Sequence, residues 1–383
     1  MRVCLTSNDP YNPLSGGGCL RVRRLAEYLS YKHEVYVVAP SRGAPNRTRV
    51  FVSPLNLLPV SRFHRWKTFE YAIFSVFLVP KLLFLCLRRK IDLVVAHNAV
   101  SGFAASVVGK IIPHTKIIQD VTDVLTLYME TYKTHSIFRL TALHLELLAF
   151  RLSDKIIAVS NPMRDWLTSQ GISPEKIVVI YDGAEVDKFN GDKIASLPII
   201  IHHGGIDPYN NAEIIVKAAP FVLKKHPNVM FYIVGHGLSL NEVILLAKKN
   251  QVEEHFLFTG WVSYEEIPKY LRRATIGVIG RSNKLANHLV FTLKLLEYWA
   301  SQTVVVAPKL KAIEQVGKDG QDLLFYEPDN AVDLGNKICT LLEQEELRQR
   351  LVNNGRKKVE EFFDWNMLIR QMSEVCESFS LNA

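Results

Sequence analysis

The sequence predicts an α/β protein built from two Rossmann-like domains, each with a parallel sheet, facing across a cleft. Three observations predict it. Short, β-branched apolar runs alternate with longer helical patterns along the chain, as in a parallel sheet covered on both faces. A strand, a glycine turn and a helix open the chain, and the same pattern restarts near residue 198. The 383 residues suit two domains at roughly 150 residues each.

In the first set, strands are expected at Val3–Thr6, Glu34–Ala39, Leu93–Ala96, Thr115–Ile118, Lys155–Val159 and Lys176–Ile180. Helices are expected near 19–30, 66–89, 99–110, 135–152 and 161–170. The second set begins with the apolar run Pro198–His202, then Gly204-Gly205 and a helix over Ala212–Lys225. Its further strands are Val229–Val234, Phe256–Thr259, Thr275–Ile279, Thr303–Ala307 and Leu323–Phe325. The polar stretch Tyr181–Leu197 reads as the connector, which gives domains over 1–190 and 195–364 and a last helix over about Trp365–Phe379.

Hydrophobic residues make up 48% and charged residues 22%, a globular balance that excludes long disorder. Charge is uneven. Residues 1–90 carry 15 Lys and Arg, among them Arg47, Arg62 and Arg65, against the four acids Asp9, Glu27, Glu34 and Glu70. Their local charge of +11 exceeds the whole chain's +8. Such a front portion suits an anionic partner, such as a phospholipid surface, or else a solvated basic face. It lacks the interleaved aromatics of a nucleic-acid module, so no nucleic-acid partner is expected. The five cysteines are scattered, odd in number and without a C-x-x-C pair. That argues against a disulfide framework and a zinc site, and for a reducing, cytoplasmic compartment. No secretory leader is expected.

Tyr71–Leu87 is strongly apolar, but Pro80 and Lys81 interrupt it, short of the ~20 clean residues of a spanning helix. Arg62–Lys67 and Arg88–Lys90 flank it. A helix buried on one side and touching lipid on the other fits this pattern, as does a plain internal helix.

Three glycine turns and one helix start carry the chemistry. Ser15-Gly16-Gly17-Gly18 follows the first strand and opens a helix, where Gly17 and Gly18 let a ligand approach free N–H groups. It lacks the G-x-G-x-x-G fingerprint. His202-His203-Gly204-Gly205 and Gly235-His236-Gly237 each follow an apolar strand. Neighbouring His in a strand face opposite ways, so these two do not share a metal. In Ile279–Ala307 a polar loop holding Arg281 precedes a helix expected over Val290–Ser301. The N–H groups of Phe291, Thr292 and Leu293 would then lie free at its start as a diphosphate cradle. Lys294 stands where the helix dipole disfavours a cation unless an anion is near. Glu297, three residues on, shares its face and suits a ribose diol. A surface Lys–Glu pair on an ordinary helix would read the same way.

Several segments together resemble glycosyltransferase family 4, whose fold is GT-B: GGGCLRVRRLAEYLSYKHEVYVVAP, Lys155–Ser160 with Asp182–Phe189, Phe231–Gly237, Leu257–Leu271, KLLEYWASQTVVVA, Gly317–Gly320 and Asn354–Arg356. The resemblance implies a retaining transferase of the hexosyltransferase kind that uses a nucleotide-sugar donor, no cofactor and no metal ion. It implies that Gly17 and Gly18 approach the donor phosphates, Glu297 holds the ribose and the Val262 backbone meets the base. It implies too that Lys294 stands in a "P-x-K-x-x-E-Y" position and the last helix crosses back onto the amino-terminal domain. Departures stand at Leu289, where the family has a first Glu, at Gly205 and Asn210, where it has Arg and Lys, and at Gln119, where a His often precedes the retained Asp120. Arg281 and Lys294 are the candidates to replace the lost charge. Asp120 is expected to position the acceptor hydroxyl or assist its proton transfer. The expected acceptor is a glycan or lipid-linked carrier in glycan biosynthesis, met by peripheral contact at the inner face of the cytoplasmic membrane. A non-catalytic GT-B subunit and a nucleotide-sugar epimerase are the alternatives.

Overall fold

The computed structural model describes residues 1–12, 16–41, 49–56, 67–131, 135–194 and 197–379. Ser15, Arg47, Arg62 and Arg65 lie outside them. The chain forms two compact units, Met1–Tyr181 with Leu368–Ala383, and Asp182–Met367.

In the first unit, apolar runs rich in Val and Ile form β1 (Arg2–Thr6), β2 (Glu34–Val38), β3 (Val50–Val52), β4 (Leu93–His97), β5 (Lys116–Val121), β6 (Lys155–Ala158) and β7 (Ile177–Val179). They pair in the order β3-β2-β1-β4-β5-β6-β7, all parallel. The helices are α1 (Gly17–Leu29), α2 (Lys67–Arg89), α3 (Asn98–Ile111), α4 (Leu125–Thr131), α5 (Ser136–Leu152) and α6 (Asn161–Ser169). Helix α2 runs on through Pro80. Val76, whose carbonyl would lose its partner there, is exposed, so water can satisfy it. The segment Glu70–Arg89 is long and apolar enough to cross a membrane. Yet Phe74, Leu78, Leu82 and Cys86 on one side of it are buried in the core with Val100 and Ala104 of α3. β3 and α4 were not expected, being short and weakly patterned.

The second unit holds β8 (Ile199–His203), β9 (Met230–Val234), β10 (Phe256–Gly260), β11 (Ile276–Val278), β12 (Val304–Pro308) and β13 (Leu324–Tyr326), in the parallel order β10-β9-β8-β11-β12-β13. Its helices are α7 (Glu213–Lys225), α8 (Leu240–Lys249), α9 (Ile267–Leu271), α10 (Leu285–Leu289), α11 (Leu293–Ala300), α12 (Lys311–Glu314), α13 (Ala331–Glu343) and α14 (Glu345–Phe362). The chain then enters α15 (Trp365–Glu377), whose residues from Leu368 belong to the first unit. There His33 Nε2 lies 3.1 Å from Glu377 Oε1.

Strand edges fall within a few residues of expectation. The helix expected over Val290–Ser301 is α11, which begins only at Leu293; the polar loop expected before it holds a further helix, α10, and Val290-Phe291-Thr292 separates the two. Val290 and Thr292 are extended there (φ −97° and −114°). A β-branched residue, an aromatic and a Thr at the N-cap favour that break. All five cysteines are free and buried.

Candidate functional site

Each unit carries one cluster of functional side chains at the carboxyl ends of its strands, where open α/β sheets bind ligands.

In the first unit, β4 ends at His97 and β5 carries Asp120 directly opposite it in the register. His97 Nδ1 lies 3.0 Å from Asp120 Oδ2. Arg21, fully buried on α1, donates its Nε to both Asp120 oxygens at 2.9 Å, and its Nη2 lies 2.9 Å from Oδ1. The same guanidinium donates to the carbonyls of Tyr181 and Ile180 at 3.0 and 3.1 Å. Burial alone would raise Asp120, but the Arg21 charge and the His97 bond draw it down to about 2. Burial alone would lower His97, and the bond and charge of Asp120, with Asp9, raise it instead. Asp120 is therefore a saturated anion and no free base, which corrects the expectation that it meets the acceptor itself. His97, as buried as Asp120, turns its other nitrogen away from that carboxylate: Nε2 lies 3.7 Å from Asp9 Oδ2 and 3.5 Å from Thr122 Oγ1.

Helix α1 starts beside this cluster with Gly17 as its first residue, no side-chain cap and no acid in its first turn. Gly18 has a steric reason. A Cβ there would meet Asp9 Oδ2 at 2.5 Å and His97 Nε2 at 2.7 Å. Gln119 faces the other way, donating to Ser106 Oγ at 3.2 Å.

In the second unit the glycine turns interlock. Gly204 N–H donates to Val234 O at 2.9 Å and Ile206 N–H to His236 O at 3.1 Å. Gly204 and Gly235 take φ of +102° and +144°, and a Cβ on Gly235 would lie 1.9 Å from Gly204 O. A Cβ on Gly204 would lie 2.8 Å from Lys294 Cε, and one on Gly205 would lie 3.1 Å from Asp207 Oδ2. These glycines thus bring the backbone of two strand ends together and leave room for the Lys294 side chain.

Helix α11 is keyed to its sheet by Tyr298, whose hydroxyl donates to Ile201 O at 3.2 Å, and by Trp299, whose Nε1 donates to Asp322 O at 3.0 Å. That fixes Lys294 and Glu297 on the face turned to the glycine turns. Lys294 makes no ion pair among the described residues. Burial and the nearby Arg281 charge lower it to about 8, against the opposing pull of Glu297 and Asp207. Arg281 is buried, donates Nη1 to Val290 O at 2.9 Å, and leaves its Nε without a partner. Glu297 is buried and raised to about 7 by that burial, against the pull of Lys294 and a hydrogen bond from Tyr264. His203 Nε2 lies 3.4 Å from Glu297 Oε2. Burial and Lys294 hold His203 well below its usual range, so it is neutral.

Other expected residues stand apart. Phe291 and Thr292 precede α11 instead of forming its first turn, and the buried Phe291 ring stacks on Phe363 at 6.2 Å. The free N–H groups at the helix start belong to Leu293 and Lys294, since Leu295 N–H returns to Thr292 O at 3.2 Å. Val262 is half-buried in the loop after β10. His202 points away from His203 and bonds Val278 O at 3.0 Å. Among the described residues no group of three His, Cys, Asp or Glu is placed to hold a metal ion. Sequence reasoning missed Arg21, His97 and Asp9. They come from different elements, and only the tertiary fold brings them together around Asp120 and His97.

Residues 15–188 match Glycosyltransferase Family 4, and residues 184–358 match Glycosyl transferases group 1. The chain belongs to the family 4 glycosyltransferases. Phosphatidyl-myo-inositol mannosyltransferase of Mycobacterium tuberculosis is 27% identical over 232 residues, 58% of this family 4 chain and 59% of that one. The chain spans about three fifths of the length of the first curated relatives it matches. Sucrose-phosphate synthase from Thermosynechococcus elongatus superposes with a TM-score of 0.82 at 19% identity over 100% of both chains. Anabaena Alr3699/HepE in complex with UDP-glucose superposes with a TM-score of 0.78 at 17% identity over 99% of this chain and 100% of that one. Two Rossmann-like units with parallel sheets are the GT-B architecture, which these two solved structures share.

Proposed function

We propose that this family 4 protein transfers a sugar from a nucleotide-diphosphate donor, with retention at the anomeric carbon and without a metal ion. The carrying observation is the pair Lys294 and Arg281 beside the Gly204 turn. Two buried or half-buried cations without an ion-pair partner are costly unless an anion joins them. A diphosphate supplies that anion. As the C1–O bond to the donor breaks, negative charge gathers on the leaving phosphate, and Lys294, Arg281 and the N–H groups of Leu293 and Lys294 stabilise it. These cations take the part a metal ion would play, so chelators should leave the rate unchanged.

Glu297 accepts the ribose hydroxyls, and the Val262 backbone meets the base. In the first unit, Gly17 and Gly18 open the helix start to phosphate oxygens. His97 and Asp9 position the acceptor hydroxyl, and Asp120 acts through His97 by holding its Nδ1 proton. The acceptor is a glycan or lipid-linked carrier met at the inner face of the cytoplasmic membrane. Its support is the basic front portion of the chain and the lipid named for the mycobacterial relative.

The test is calorimetric titration with UDP-, GDP- and ADP-sugars, wild type beside Glu297→Ala. Binding of one nucleotide class, lost in the variant, bears the reading out. Absence of binding to all three overturns it. The anomeric configuration of the product, read by NMR coupling constants, tests retention.

A further inference from the structure

In the first unit, α2, α3 and α5 all cross rightward over the sheet, into β4, β5 and β6, so right-handed connections put them on one face. Helix α3 packs between the other two. Each helix turns one apolar side to the sheet, and each carries apolar side chains on the opposite side too. On α2 the outward stripe is Phe77, Phe84 and Leu87, with Val76 at its edge, exposed by 54 to 68%. On α3 it is the half-buried Phe103 and Val107 and the exposed Ile111, spaced four apart. On α5 it is Ile137, Leu140, Leu145 and Leu148, interleaved with Thr141, His144 and Arg151.

Three neighbouring apolar stripes on one face mark an interaction surface rather than scattered single exposed side chains. Its charge is one-sided. The three helices carry seven Lys and Arg and two acids, Glu70 and Glu146. Glu146 is buried, bonded to the N–H groups of Leu125 and Thr126 at the start of α4. Arg88, Arg89 and Lys90 ring the end of α2. A protein partner would need an acidic rim to match. An anionic bilayer provides acidic headgroups around an apolar interior, which suits side chains protruding from rigid helices.

We propose that the outward faces of α2, α3 and α5 together form a docking surface for anionic lipid bilayers, with α5 as necessary to it as α2. This rests on the reading that the protein works at a membrane, and it commits that reading to one face.

The test uses the full chain and vesicles of phosphatidylcholine with phosphatidylglycerol, or of phosphatidylcholine alone, read by co-sedimentation. Wild type should bind the anionic vesicles and be released by high salt. Phe84→Glu and Ile137→Glu should each weaken binding at least about tenfold, and Leu245→Glu, equally exposed on α8 of the second unit, should not. Vesicle binding that survives both first-unit changes overturns the proposal. So does a wild-type dimer, seen by light scattering, that these changes convert to monomer without any vesicle binding. Nucleotide-sugar titration of the same variants separates the two readings: retained donor binding with lost vesicle binding leaves the donor site untouched.

Discussion

Replacing Lys294 by Met should stabilise the free protein and weaken its hold on nucleotide diphosphates. Burial and the Arg281 charge lower Lys294 from an ordinary 10.5 to about 8. A depressed lysine favours the fold in its neutral form, so the charged form works against folding below about pH 8, and the effect fades as pH rises through 10.5. The shift corresponds to about 3 kcal/mol at neutral pH, reduced to about 2 because the ammonium is partly solvated. Methionine keeps the unbranched packing and removes the charge. For a unit of this size, ~2 kcal/mol raises the melting temperature by roughly 4–8 °C. At pH 7 Lys294 is still about nine-tenths protonated, so the lost charge-assisted bond to a diphosphate costs about 2 kcal/mol, or ~30-fold in affinity. Differential scanning calorimetry of the free protein and titration with the UDP-, GDP- and ADP-sugars measure the two effects. A Lys294→Met protein that melts lower than wild type, or binds the donor equally well, refutes the argument that Lys294 is an uncompensated cation awaiting an anion.

Burial holds Glu297 at about 7, above its ordinary 4.5, so the folded protein binds this proton more tightly than the unfolded chain. Stability should therefore fall as pH rises from about 4.5 through about 7. Glu297→Gln should remove most of that fall in melts at about pH 5 and about pH 8, and a pH profile matching wild type contradicts it. Gly235→Ala should cost the second unit roughly 3 kcal/mol or more, because its φ of +144° and the Gly204 carbonyl at 1.9 Å leave no place for a Cβ; an unchanged melting curve would sink that reading. Asp120→Asn strands the fully buried Arg21 and should destabilise the first unit by ~3–5 kcal/mol. A protein that melts normally yet loses all turnover would instead return Asp120 to a direct catalytic role.

Periodicity alone placed most of the secondary structure, because a buried parallel strand must be apolar on both faces and a covering helix on one. That Lys294 and Glu297 share one helix face was legible too, since residues three apart on a helix do so whatever surrounds them. The glycine turns at Gly204 and Gly235 could be read as sites of close approach. That the nearest object is another strand's backbone came only from the fold. The later start of α11 at Leu293 was hidden, because Val290 and Phe291 extend its apolar run.

What tertiary structure alone decided is which groups are free. Arg21, His97 and Asp120 lie 99 and 23 residues apart in sequence, and no local pattern joins them. The parallel register sets His97 opposite Asp120, and Arg21 reaches Asp120 from α1. A carboxylate that reads as a base in sequence thereby becomes a saturated anion, and the histidine beside it keeps the nitrogen that is turned toward Asp9. In the second unit the same logic runs in reverse. Lys294 and Glu297 read as an ordinary surface pair, and burial shifts each toward neutrality, because charges withdrawn from water must find partners or give up their charge.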